Sequence, residues 1–204
     1  MNLLKLLNDE NITEEEIKTF KHRRVVRVIA HDQEGKIALV HAKIRNYYEL
    51  PGGGVEENET LEEGAVREVK KEEAGCDVKI TGEVGIVREY LKSKELINET
   101  FCFTANVVSE KGDLRLMQDE IEEGMEIVWV DIDEAVRLLE STSEVSLYAT
   151  PMQVKYTKVR DLTFLGEVGK TEDSRWILKA GLAKKDGFVG VEKSSEVLND
   201  IMNC

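Results

Sequence analysis

The stretch PGGGVEENETLEEGAVREVKKEEAG, residues 51–75, joins a Pro-Gly turn, a capped helix and a ladder of carboxylates. Thr60 with Glu63 three residues on forms a capping box, and Gly75 is placed for a left-handed helix stop. The spacing predicts one helix from Leu61 to Ala74. At about 100° per residue, Glu68 and Glu72 stand one turn apart on one face, while Ala65, Val66 and Val69 supply the apolar side. Adjacent like charges repel, so a helix that stacks them after a glycine turn reads as half of a cage for a hard divalent cation, which wants oxygen ligands. A solvated charged face is the commoner meaning of such a run. It does not account for the glycine turn, Glu59, Arg67-Glu68 and Glu72 arriving together in this order.

On these residues the chain resembles the Nudix hydrolase family. The family signature is Gly, five residues, Glu, seven residues, then Arg-Glu-aliphatic-any-Glu-Glu-any-Gly-aliphatic. Gly53, Glu59, Arg67, Glu68 and Val69 fit it without a gap, and Glu49-Leu50-Pro51-Gly52 ahead of it is typical. The fit then slips by one residue. Ungapped, the final acidic pair falls on Lys71 and Glu72; with one residue inserted after Val69 it becomes Glu72 and Glu73, followed by Gly75 and Cys76. An unbroken α-helix keeps Glu72 over Glu68 and turns Glu73 about 140° away. It needs no strain and is the expected arrangement. The alternative is a single π-bulge, which absorbs the extra residue and brings Glu73 round.

The resemblance implies a metal-dependent hydrolase that splits a diphosphate linkage in a nucleoside diphosphate derivative such as a nucleotide sugar or dinucleotide. A phosphoanhydride is negatively charged and repels hydroxide, so such chemistry calls for a cation that screens the charge and activates water. Glu68 and Glu72 would hold Mg²⁺ or Mn²⁺, with Glu73 as alternate ligand. The resemblance further implies that the Gly52 carbonyl joins the metal shell, and that Glu59 and Arg67 orient the carboxylates. Arg67 suits that task because its planar fork grips a carboxylate at two points. A further acid in this family comes from the loop before the strand bearing a late tryptophan. Here that loop is residues 119–124 ahead of Trp129, which makes Glu120 and Glu122 candidates for metal ligand or general base, against an ordinary solvated loop.

Tyr47 and Tyr48, just before the glycine turn, could contact the base or other leaving group, one ring stacking while its neighbour packs inward. Arg45 and Lys43 could meet phosphates. A plain half-buried strand explains them equally well. The proline that follows the box in many ADP-ribose hydrolases is absent, since no proline lies between Pro51 and Pro151. His22, His31 and His41 have no metal-ligand spacing and read as structural. The competing class is a Nudix-fold nucleotide sensor without the reaction, with Lys71 standing where the motif has an acid.

Composition narrows the class further. The net charge of -13, from 28 basic and 41 acidic side chains, argues against a general nucleic-acid surface. No apolar run approaches a membrane span, and the N-terminus turns acidic too early for a signal peptide, so a cytoplasmic protein with a small-molecule phosphoanhydride substrate is expected. Cys76, Cys102 and Cys204 have no metal-ligand spacing and read as reduced thiols.

Periodicity divides the chain into an N-terminal helical segment (1–20), a Nudix domain (21–142) and a helical extension (143–204). Thr13 with Glu16 opens a first helix over residues 11–20. Strands are expected at 25–29, 37–40, 78–80, 84–90, 100–108 and 126–130, and Asp131 with Glu134 caps a helix through Leu139. Strands on both sides of one central helix predict an α/β (α+β) fold, a mixed sheet sandwiched between helices. Beyond it, Pro151 starts a helix to about Val168. Two more helices are expected at 174–183 and 195–202, with Trp176 as a packing anchor. The extension covers either the core or a partner subunit of a homodimer.

Overall fold

Alternation along residues 21–31 sets the two faces of the sheet. Val26, Val28 and Ala30 pack on one side and Ile29 on the other, as the two-residue period of a strand requires. The computed structural model describes residues 1–70, 76–110, 118–122, 124–142 and 150–170, without the side chains of Arg45, Asp119, Glu120 and Lys170. In chain order the first elements are β1 (Leu3–Leu7), α1 (Glu14–Ile17), β2 (Lys21–His31), β3 (Ile37–Ala42), β4 (Tyr47–Glu49) and α2 (Leu61–Glu68). There follow β5 (Val78–Leu91), β6 (Leu96–Val107), α3 (Gln118–Glu122), β7 (Met125–Val130), α4 (Ile132–Ser141) and α5 (Pro151–Lys170).

Among the described residues the strands form one mixed sheet in the order β1-β5-β6-β2-β3-β4, with β7 on the other edge of β3. β2 runs parallel to β6 along its whole length, whereas β3 meets β2 at a single pair, His31 with Ile37. The two strands then splay, and β4 with the glycine turn fills the wedge. β4 pairs with the end of β3, while Val28 N–H donates to Pro51 O (2.8 Å) and Val26 N–H to Gly53 O (2.9 Å) on the free edge of β2. Gly52 alone fits this junction: its φ is +147°, and a β-carbon there would stand 2.0 Å from Val26 O.

Helices cover both faces, as the sequence predicted. Ala65 and Val69 pack on Val26, Val28, Phe103 and Ala105. Ala135 and Leu139 of α4 and Tyr156, Phe164 and Leu165 of α5 cover Ile29, Leu39, Val87 and Cys102. Three expectations are corrected. The N-terminal segment is not helical throughout, because residues 3–7 form β1, parallel to β5. Residues 78–91 are one strand where two were expected, since Gly82 and Gly85 sit at register shifts rather than at a turn. The presumed loop before β7 contains α3. The two helices expected beyond α5, and Trp176, lie outside the described residues.

A buried charge network ties α5 to the glycine turn. Arg160 Nε donates to Asp161 Oδ1 (2.7 Å), and Asp161 Oδ2 accepts the Leu50 N–H (2.8 Å). Arg160 also stands 3.6 Å from Glu49 and from Glu89. Burial pulls the Arg160 pKa down, but Asp161 and Glu89 more than offset it and hold the guanidinium charged. Asp161→Ala would orphan the Leu50 N–H and take from the Arg160 guanidinium its nearest carboxylate. It is expected to cost about 3–5 kcal/mol, read as a lowered urea midpoint, with Asp161→Asn losing less because it keeps an acceptor. A midpoint like that of the wild type would show that the network is not structural.

Candidate active site

The helix that carries the carboxylates starts as its sequence dictates. Thr60 Oγ1 accepts the Glu63 N–H (3.2 Å) and Glu63 Oε2 accepts the Thr60 N–H (2.8 Å), the reciprocal capping box. α2 then delivers Arg67 and Glu68 beside the glycine turn. Arg67 Nε donates to Glu59 Oε2 (2.9 Å), Nη1 to Glu68 Oε1 (2.6 Å) and Nη2 to Gly54 O (2.9 Å). One guanidinium thus binds the start of the helix, its end and the loop in front of it. Glu59 is itself held by the Glu56 N–H (2.7 Å).

Glu68 is only 3% exposed. Its carboxylate packs where a side chain on Gly53 would be: a β-carbon there would lie 2.6 Å from Glu68 Cδ and 2.7 Å from each oxygen. Any larger residue at position 53 would displace the carboxylate. The hydrogen bond from Arg67, and then the Glu56 N–H, hold Glu59 down at about 2 against an ordinary 4.5. Because the folded value is depressed, the clamp is intact above the ordinary carboxylate range and is lost as pH falls from about 4.5 towards 2. Arg67 is correspondingly raised, by Glu59 first and Glu68 second.

The helix does not continue unbroken. The α-helical part ends at Glu68, and Val69 and Lys70 form a π turn. This departs from the expected uninterrupted helix to Ala74 and falls at the residue after which the family motif needs an insertion. Glu72 and Glu73 lie outside the described residues.

The other candidates are dispersed. Gly52 O accepts from Arg27 Nη1 at 2.7 Å, so a cation on the same oxygen would stand against a guanidinium. Tyr48 stacks on His41, ring centroids 4.1 Å apart, and His41 Nδ1 is 3.1 Å from Glu126 Oε1. Tyr47 faces α5; burial, then Glu49, raises its hydroxyl pKa, and Thr157 hydrogen-bonds it. Glu122 is exposed and accepts from Gln118 Nε2 (3.0 Å). The side chains of Glu120 and Arg45 lie outside the described residues. No group of three or more His, Cys, Asp or Glu among the described residues is placed to hold a metal ion.

A cavity of about 170 Å³ opens on the far side of the same turn, between β2, β5, β6 and α5. Gly53 forms part of its wall, so one thickness of backbone separates it from the Glu68 carboxylate. Arg23, Arg27, Glu89 and Asn98 line the sheet side, and Gln153, Thr157 and Arg160 the helix side. Sequence reading did not identify these residues. Arg23 and Arg27, which share one face of β2, were the available signal, but pairing them with α5 requires the fold.

A buried, arginine-clamped carboxylate packed on a glycine turn, at the edge of a sandwiched mixed sheet, is the arrangement that the Nudix resemblance implies. The chain belongs to the Nudix family: the NUDIX domain matches residues 21–150. It is similar to a Bacillus subtilis (strain 168) protein named ADP-ribose pyrophosphatase, 28% identical over 145 residues, which are 69% of this chain and 75% of that one. Among solved structures it is similar to a NUDIX hydrolase from Nitrosomonas europaea (23% identity, 67% of this chain and 89% of that one, TM-score 0.49). Another is an ADP-ribose pyrophosphatase from Streptococcus suis 89-1591 (19% identity, 74% and 93%, TM-score 0.46). No helix among the described residues is long and apolar enough to cross a membrane.

Proposed function

We propose that this protein hydrolyses the diphosphate linkage of a nucleoside diphosphate derivative, a nucleotide sugar or dinucleotide, with Mg²⁺ or Mn²⁺ bound at Glu68. The observation that carries this reading is the buried Glu68 carboxylate, oriented by Arg67 and seated on side-chain-free Gly53, with a cavity directly behind that glycine. Its hard, charged oxygens fit a divalent cation, and its second helix partner would be Glu73 or Glu72. The π turn after Glu68 supports Glu73, because one extra residue per turn carries the fifth position onward over the first. Gly52 O, engaged by Arg27, is left out of this ligand set.

Bound there, the cation would supply charge neutralisation and Lewis-acid activation of water. The chain's own residues do the rest. Arg67 keeps Glu68 oriented and Glu59 keeps Arg67 in place. The similarity to a protein named ADP-ribose pyrophosphatase makes ADP-ribose the first compound to try, although the proline that many such enzymes carry is absent here.

Purified protein is expected to release phosphorylated product from at least one member of a panel of ADP-ribose, nucleotide sugars and dinucleoside polyphosphates with Mg²⁺ or Mn²⁺, and to stop when chelator is added. Turnover that survives exhaustive chelation removes the metal. Nucleotide binding without turnover of any panel member turns the reading to a non-catalytic sensor.

A further inference from the structure

Every carbonyl oxygen from Leu50 to Gly54 is taken by a donor from outside the glycine turn. The β2 backbone supplies the Val28 N–H for Pro51 O and the Val26 N–H for Gly53 O. Two arginines supply the rest. Arg67 takes Gly54 O, and Arg27 Nη1 donates to both Leu50 O (2.9 Å) and Gly52 O (2.7 Å). The Arg27 guanidinium is buried and is anchored in turn by Glu49, whose Oε2 accepts from Nη2 at 2.6 Å. Leu50 is thus held at both polar groups, its N–H by Asp161 and its carbonyl by Arg27. Between the residues that Arg27 holds and the one that Arg67 holds lies Gly53, the seat of the Glu68 carboxylate.

We propose that Arg27 is a positioning residue of the hydrolytic site: by fixing the turn at Leu50 and Gly52 it sets where Gly53 stands, and through Gly53 the Glu68 carboxylate and its affinity for the cation. The proposal rests on the reading of Glu68 as a metal ligand. Gly52, Gly53 and Gly54 follow one another, and glycine has little conformational preference of its own, so the shape of this turn must come from what grips it. Glu68 in turn fills the space that a β-carbon on Gly53 would occupy, so a displaced Gly53 displaces the carboxylate. Arginine suits the task because its planar fork holds Leu50 O, Gly52 O and Glu49 in one fixed geometry, which the point charge of a lysine does not.

Mn²⁺ titrated into the substrate-free, full-length protein, followed by the electron paramagnetic resonance signal of unbound Mn²⁺, tests the proposal apart from turnover. The wild type is expected to bind Mn²⁺ with an affinity that Glu68→Gln lowers. Arg27→Lys, which keeps the charge facing Glu49, is expected to weaken binding about tenfold and Arg27→Met up to about a hundredfold, the range for partners behind a metal ligand. Ile97→Ala is the control, since it opens a cavity in the separate apolar cluster with Ile12 and Tyr90 and lowers the urea midpoint without touching the turn. On a hydrolysed substrate Arg27→Lys should need more metal for half-maximal rate, with kcat at saturating metal within about threefold of wild type, as loss of uniform binding predicts. Unchanged Mn²⁺ affinity in both Arg27 variants, or an equal loss in Ile97→Ala, makes Arg27 purely structural and overturns the proposal. Tighter binding overturns it as well, because Arg27 would then be competing with the cation for Gly52 O. A wild type whose Mn²⁺ binding is indifferent to Glu68→Gln removes the metal reading of Glu68, and the proposal with it, before any Arg27 variant is compared.

Discussion

Glu68→Gln is expected to lower kcat by about 10²- to 10⁴-fold, the range for a group acting at the reacting centre, while the thermal midpoint changes little. The substitution is nearly isosteric. Its amide oxygen can still accept from Arg67 Nη1, which now donates to Glu68 Oε1 at 2.6 Å, and it still fits the space above Gly53. What it removes is the negative charge. A side chain 3% exposed and held against a guanidinium would be an ordinary structural ion pair if the protein had no cation to bind. In that case the variant would lose stability and keep its turnover. Parallel measurement of kcat and unfolding midpoint separates the two, and wild-type kcat in the variant would remove Glu68 from the chemistry.

The second large effect concerns the register of the helix after Glu68. The π turn at Val69–Lys70 leads to the expectation that the second helix carboxylate is the fifth residue after Glu68, Glu73, rather than the fourth, Glu72. Glu73→Gln should therefore lose at least about tenfold in kcat and need more metal for half-maximal rate, as expected for loss of a group at the reacting centre. Glu72→Gln should stay within about threefold of wild type. The reverse ranking would restore an unbroken helix as the catalytic form. Small and equal losses in both variants would remove either residue as a ligand and favour a binding module. Metal titrations of the two purified variants, side by side, give the answer directly.

The π turn also shows where sequence reading was led astray. Propensity and capping favour a continuous helix to Gly75, and nothing in the composition of residues 65–74 breaks it. The family motif carried the contrary signal, a one-residue surplus between Glu68 and the final acidic pair. β1 was missed for a related reason: MNLLKLL has no clean alternation, and a strand docked parallel on β5 gains its order from that neighbour. For Tyr47 and Tyr48, position before the turn left substrate contact and a plain half-buried strand equally open. In the fold Tyr48 spends its ring face on His41, and Tyr47 lies under α5, which the sequence could not bring there.

By itself the sequence determined the parts whose causes are local: the capping boxes at Thr13 and Thr60, the strand periods, the sandwiching helices, and the motif that places Glu59, Arg67 and Glu68 together. Capping and helix spacing act over three to eight residues, so a linear reading can evaluate them. Only the tertiary structure decided the rest. The wedge between β2 and β3 that receives the glycine turn depends on how far two strands splay. The Asp161 bond to Leu50 spans 111 residues, and the cavity needs β2, β5, β6 and α5 at once. These contacts follow from how the layers close around the core, which no local window of sequence specifies.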